Sequence, residues 1–360
     1  MRGFVARHHV GLVLTAALAL HAYALKSADT DFAIFERAAQ RFIAGEALYR
    51  AADAESGTEW TDRTFKYPPA AAAFFVPLGH RGLFLLVSAL ALLVAAHWAA
   101  QASGAQRLHW LPLVLLASYS HALFSLGQSD GLVLGLFAAS ELARAKRPWL
   151  AAGLAAAAVL LKVTFVGPVL LVALVRRDGA GVARFGAMLL ALGAGLPLLR
   201  YGPMGALEQH QAWLGLLSQT TPPLLCRASN QGVWAMACRG PAVVIATVSG
   251  VALLGVLWAW WRKPTDFEVA ATGTFMAALW SPLCWRSTLV CLLPAYFFIV
   301  TGRRPLNVVA GVAALAAAFP IYDVLGAGAL DRALHLRLHG ALALATFAFG
   351  ALATRARTRP

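Results

Sequence analysis

Apolar runs long enough to cross, or nearly cross, a bilayer recur from one end of this chain to the other, and they limit the folds open to it. A backbone in hydrocarbon must satisfy its own N–H and C=O groups, which restricts spanning segments to helices and closed barrels. The runs lie near 9–25, 82–101, 110–126, 129–143, 149–161, 164–175, 185–200, 240–261, 267–281, 287–302, 305–322 and 337–353. Several are shorter than the ~20 residues of a plain spanning helix, so the expectation is a bundle of about 10–12 transmembrane helices. With 60% hydrophobic and 13% charged residues, the chain reads as an all-α polytopic membrane protein and not as a soluble domain. No repeat and no appended soluble segment is visible, so residues 1–360 read as a single integral membrane domain.

Charge sets the expected orientation. With the N-terminus in the cytoplasm, that side receives 16 basic and 4 acidic residues, a net +12 out of the total +14. The other side receives 14 basic and 12 acidic residues, a net +2. This is the asymmetry of the positive-inside rule, and it puts both termini in the cytoplasm of a cell (inner) membrane protein. The basic balance then reflects topology and contact with anionic membrane lipids, and no nucleic-acid partner is expected. Residues 1–25 also fit a cleaved signal peptide ending at Ala22-Tyr23-Ala24; a retained first helix is preferred because so many spans follow.

Two long polar stretches, 26–67 and 201–239, fall on the outer side. From Asp29 to Asp62 the first carries 8 of the 16 acidic residues, more than a simple anchor needs. Residues 31–44 form an amphipathic helix with Phe32, Phe35, Ala39, Phe42 and Ile43 in one stripe. Thr30 suits its N-cap and Gly45 its C′ position, and such a helix lies in the interface plane. Asp31 falls in its first turn, where an acid also simply complements the helix dipole, as Asp29 would.

Further polar breaks face outward. Tyr67-Pro68-Pro69 is rigid and extended. Gly127-Gln128-Ser129-Asp130 separates two apolar runs. Lys162 splits the stretch 149–175 into two short helices, and a charge there is a functional candidate or a snorkelling side chain. Asn230-Gln231 and Ser281-Pro282 with Trp285-Arg286 complete the set. An acid, a lysine, an arginine and several amides on one face suit a lipid phosphate plus a polar acceptor.

At these residues the chain resembles glycosyltransferase family 87. The resemblance is carried by Asp31-Phe32, Gly45, Leu48-Tyr49, Tyr67-Pro68-Pro69, Gly127-Gln128, Lys162 after an Ala/Gly-rich helix, Asn230-Gln231, and Ser281-Pro282 with Trp285. Members are GT-C-fold membrane enzymes that include polyprenyl-phosphomannose-dependent mannosyltransferases. The resemblance implies a GT-C-like bundle with an extracytoplasmic site, a polyprenyl-phosphate sugar donor, and a lipid or glycan acceptor. It implies an aspartate of the first outer loop as base, which by position is Asp31. Lys162 and Arg286 are the candidates for the donor phosphate, with Gln128, Asp130, Asn230, Gln231 and Tyr67 lining the substrate cavity. The chain departs from the family pattern at Ser287, where a histidine is common, at Asp130, where an asparagine is common, and at Pro168, which follows the lysine late.

The chemistry agrees. A sugar on a lipid phosphate carries its own leaving group, so one carboxylate base and a few cationic donors suffice, in a single inverting displacement. No cofactor and no metal is called for, since no His/Cys/Asp cluster has ligand spacing. His80, His121 and His210 are weaker outer-face candidates, and His335 and His339 stand four apart near the last span. Cys226 and Cys238 share an outer stretch, and spacing leaves open whether they are bonded; Cys284 and Cys291 read as packing residues. The competing function classes are a transporter or lipid flippase, which the lack of similarity between the two halves disfavours, and a non-catalytic lipid-binding relative.

Overall fold

A computed structural model describes residues 2–24, 31–50, 64–105, 110–238, 265–301, 308, 311–312 and 322–344. Every regular element among the described residues is helical. The longer helices are α1 (Arg2–Ala24), α2 (Asp31–Ala44), α3 (Arg81–Ser103), α4 (Ala117–Leu126), α5 (Asp130–Ala143) and α6 (Pro148–Leu161). They continue with α7 (Val166–Val175), α8 (Gly179–Gly193), α9 (Gly195–Thr220), α10 (Asp266–Leu279), α11 (Leu293–Thr301) and α12 (Tyr322–His335). The expected span 240–261, Thr30, Asp29 and both chain ends lie outside the described residues.

Only α3 is by itself long and apolar enough to cross a membrane among the described residues, and two bent pairs raise the number to 3. The bent pairs are α4–α5, at 114°, and α8–α9, at 51°. The short apolar runs in the sequence thus correspond to helices that are interrupted or bent. The run expected at 185–200 is in fact cut between Gly193 and Gly195, and most of the described part of the polar stretch 201–239 is helical. Gly202 breaks α9 near its start with φ 69° just before Pro203.

The core is built by close helix seams. α3 packs along α5, α5 along α6, α6 along α8, and α7 along α10. Gly135 makes the first seam possible: a Cβ there would lie 2.4 Å from Ala91 Cβ. Small residues at such seams let two backbones approach, which is how helices gain packing energy in lipid. At the far end of α5 from Asp130, Arg176 pairs with Glu141 at 2.8 Å and with Asp266 at 2.7 Å. These are residues that the charge rule assigns to one side. Thr265 caps α10 in a reciprocal box with Glu268, satisfying two of the orphan N–H groups there.

Helix α2 forms over the expected residues and ends at Gly45 with φ +73°. Its apolar stripe faces protein and not lipid. Phe35 stacks on Phe75 at 4.3 Å, and Phe32 meets Phe84 at 5.3 Å. Ile43, expected in the stripe, is 59% exposed, and Ala38 is buried in its place. Cys226 and Cys238 form a disulfide, while Cys284 and Cys291 are buried free thiols.

Gly135→Ala is expected to strain the α3–α5 seam by about 1–3 kcal/mol. A melting curve of the purified protein checks this; an unchanged Tm would mean the seam separates without cost.

Candidate functional site

The site forms where three breaks in the helices meet. The first is the elbow Gly127-Gln128-Ser129 between α4 and α5. Gly127 takes φ +66°, and a Cβ there would sit 2.7 Å from Phe32 Cβ, so only glycine lets the first turn of α2 rest on the elbow. This contact sets Asp31 over the elbow, where Gln128 Nε2 donates to Asp31 Oδ2. Asp31 is half-buried and Gln128 is buried.

Next along the elbow comes Asp130, which opens α5 and is 2% exposed. The second break supplies its partner. Lys162 stands extended, with φ −155° and ψ 100°, between α6 and the short 3₁₀ turn Val163–Phe165. Its ammonium donates to Asp130 Oδ1 and, at 3.1 Å, to Thr288 Oγ1. The third break is the 3₁₀ segment Arg286–Leu292, whose Thr288 hydroxyl also donates to Asp130 Oδ2 at 3.2 Å. A carboxylate buried this deeply requires such pairing. Lys162 has three N–H donors and two go to these partners, while its side chain is still 16% exposed.

Tyr67 closes one side. Its hydroxyl hydrogen-bonds Ser129 Oγ at 3.0 Å, and its carbonyl accepts from Tyr49 Oη at 2.6 Å. Burial pushes the Tyr49 phenol up, which keeps it a donor. Arg286 stands at the start of its 3₁₀ segment, on the side of Tyr119.

Asn230 and Gln231 do not join this group. Asn230 Nδ2 donates to the carbonyls of Leu225 and Pro282, and its Oδ1 accepts from the amides of Gly232 and Cys284. All four of its hydrogen-bonding positions are thereby taken by backbone. Gln231 Nε2 is spent on the carbonyls of Ala228 and Leu334. Of these two residues, expected to line the substrate cavity, Asn230 fastens the stretch after α9 to the Ser281–Trp285 break and the Gln231 side chain fastens it to α12.

Thr288 and Ser129 were missed in the sequence. Polar residues right beside named breaks were the available signal, since Thr288 follows Trp285 by three positions and Ser129 precedes Asp130. Ser287 is fully buried, and its hydroxyl has no partner among the described residues. The His121 ring lies tilted against that of His21 at 5.3 Å, and His335 pairs with Asp331 at 3.3 Å, a carboxylate one turn back. No group of three potential metal ligands occurs among the described residues.

The described residues thus form an all-helical body with apolar helices, an amphipathic helix laid over its broken helices, and a carboxylate bonded by Gln128 beside a buried acid–lysine pair. The profile of glycosyltransferase family 87 matches residues 65–284, more than half of the chain. The chain belongs to this family and is a glycosyltransferase. No curated protein and no solved structure matches it. Asp31 precedes the matched region, so its place in the site rests on geometry.

Lys162→Ala is expected to destabilise the fold by about 3–5 kcal/mol, because it leaves Asp130 as a buried unpaired charge. The double variant Asp130→Asn/Lys162→Met should recover most of that loss. Thermal melting compares them; equal losses would show that the pair is not the stabilising feature.

Proposed function

We propose that this glycosyltransferase moves a hexose, mannose-like, from a polyprenyl-phosphate donor to a lipid or glycan acceptor on the extracytoplasmic face, with inversion. The family supports glycosyl transfer. The observation that carries the finer reading is the division of labour between two acids. Asp130 is buried and neutralised by Lys162, whereas Asp31 is half-buried and oriented by Gln128.

In this reading Asp31 takes the proton of the acceptor hydroxyl, and the freed oxygen attacks the anomeric carbon. The bond from that carbon to the phosphate oxygen breaks, and the lipid phosphate departs with its electron pair. The remaining N–H of Lys162 and the guanidinium of Arg286 receive the phosphate oxygens, in a low-dielectric setting where charge-assisted hydrogen bonds are strong. Tyr67 and Ser129 hold the wall beside the elbow. Asp130 serves here as the anchor of Lys162 more than as a direct ligand of the sugar.

A general base contributes roughly 10²–10⁴-fold, so Asp31→Asn should lower kcat by that range in radiolabelled sugar transfer from polyprenyl-phosphate donors. The amide preserves the helix start, so folding should hold within ~1 kcal/mol. Asp29→Asn is the control and should be mild. Near-normal turnover of Asp31→Asn would remove Asp31 as the base; a loss confined to Asp29→Asn would move the role to that residue.

A further inference from the structure

The Thr288 hydroxyl carries one proton and gives it to Asp130 Oδ2 at 3.2 Å, so its oxygen is left to accept from Lys162 Nζ at 3.1 Å. Lys162 also donates to Asp130 Oδ1, which closes a triangle of hydrogen bonds. Both carboxylate oxygens then have a donor, and the hydroxyl both gives and receives. Asp130 and Thr288 are buried, whereas the Lys162 side chain keeps 16% of its surface exposed.

A tetrahedral ammonium held through two of its N–H groups has the direction of the third fixed. Without the hydroxyl, Asp130 Oδ2 would be a buried acceptor lacking this donor. The ammonium, tied only to Oδ1, would be free to swing and bridge both oxygens. Such a pair stays neutral and buried, but it draws the third N–H of Lys162 inward. Thr288 is able to block this because its own place does not depend on Lys162. Its amide donates to the Trp285 carbonyl at 3.0 Å. The residues just before are fixed by Asn230, whose Nδ2 donates to the Pro282 carbonyl at 2.8 Å and whose Oδ1 accepts from the Cys284 amide at 3.0 Å. The Gln231 amide adds a bond to the Cys284 carbonyl at 2.6 Å. Arg286 opens the same 3₁₀ segment two residues before Thr288, so one anchored turn both carries Arg286 and aims Lys162.

We propose that Thr288 is a positioning residue: its hydroxyl occupies Asp130 Oδ2 and so keeps the third N–H of Lys162 turned outward for the phosphate of the lipid-linked donor. This rests on the reading of Lys162 as a receiver of that phosphate. The test uses the full chain in phosphatidylcholine nanodiscs, titrated with a polyprenyl monophosphate as the probe. Thr288→Val keeps the side-chain shape and removes the hydroxyl. It is expected to weaken probe binding about tenfold, the worth of one charge-assisted hydrogen bond, with Tm unchanged. Thr288→Ser keeps the hydroxyl and is expected to bind as the unmutated chain does. Unweakened binding by Thr288→Val would overturn the proposal. So would equal weakening by both variants, or a weakening that comes with a fall in Tm, since either would make Thr288 a packing residue. Asp130→Asn/Lys162→Met, which has no ammonium, separates the two levels of the argument. If it loses binding while Thr288→Val does not, the role of Thr288 alone is wrong. If it also binds as the unmutated chain does, Lys162 does not receive the phosphate, and the role of Thr288 falls with it.

Discussion

The pair between Lys162 and Asp130 is the constraint around which the rest of the bundle is arranged. Two charges in an apolar bundle are tolerated only if they meet each other with further hydrogen bonds, which here come from Thr288. They meet at helix ends: Lys162 lies in an extended link between α6 and a 3₁₀ turn, and Asp130 is the first residue of α5, beside the elbow. Thr288 arrives on a 3₁₀ segment, a tighter winding that is uncommon beyond a turn. The breaks that shorten the apolar helices and the buried charges that make the site are thus one feature.

Helix α2 is held to this arrangement from both ends. Its aromatic face packs on Phe75 and Phe84, and its first turn sits on Gly127. At the other end, Arg200 of α9 donates to the Phe42 carbonyl at 2.6 Å and to the Ile43 carbonyl, covering acceptors that a helix terminus leaves open. Gln209 then accepts from the Leu48 amide at 2.9 Å, and Trp213 donates to the Lys66 carbonyl at 3.0 Å. The described parts of the polar stretch after α1, 31–50 and 64–67, are therefore clamped by α9.

Much of this was legible in the sequence because it depends on local chemistry. The apolar stripe and Gly45 mark α2, a lysine inside an apolar stretch marks the break at 162, and Gly127-Gln128-Ser129 marks the elbow. What was not legible depends on distant partners. Nothing near Asn230 indicates that its amide will be consumed by Leu225, Pro282, Gly232 and Cys284. Nothing near 201–239 shows that Gln209 and Trp213 will bond the Leu48 amide and the Lys66 carbonyl. The short apolar runs looked like many separate spans, since composition cannot distinguish a crossing from a 114° turn. The pairing of Cys226 with Cys238 likewise needed the helices between them in place.

The two acids near the elbow show why proximity in sequence is a poor guide to role. Gln128 and Asp130 are two residues apart, yet they serve different carboxylate functions. Gln128 reaches outward to Asp31 with a neutral amide, which orients that carboxylate without neutralising it. Asp130 points inward to a lysine, which cancels its charge where the surroundings solvate ions poorly. An amide in place of Lys162 would leave the Asp130 charge buried and unpaired. The reversal at Gly127 lets one short segment bond Asp31 of α2 and, two residues on, Lys162. A straight helix would also carry residues 128 and 130 about 200° apart but would not offer Gly127 as the seat for the first turn of α2. The reversal, more than either acid alone, is what gives one elbow two electrostatic environments.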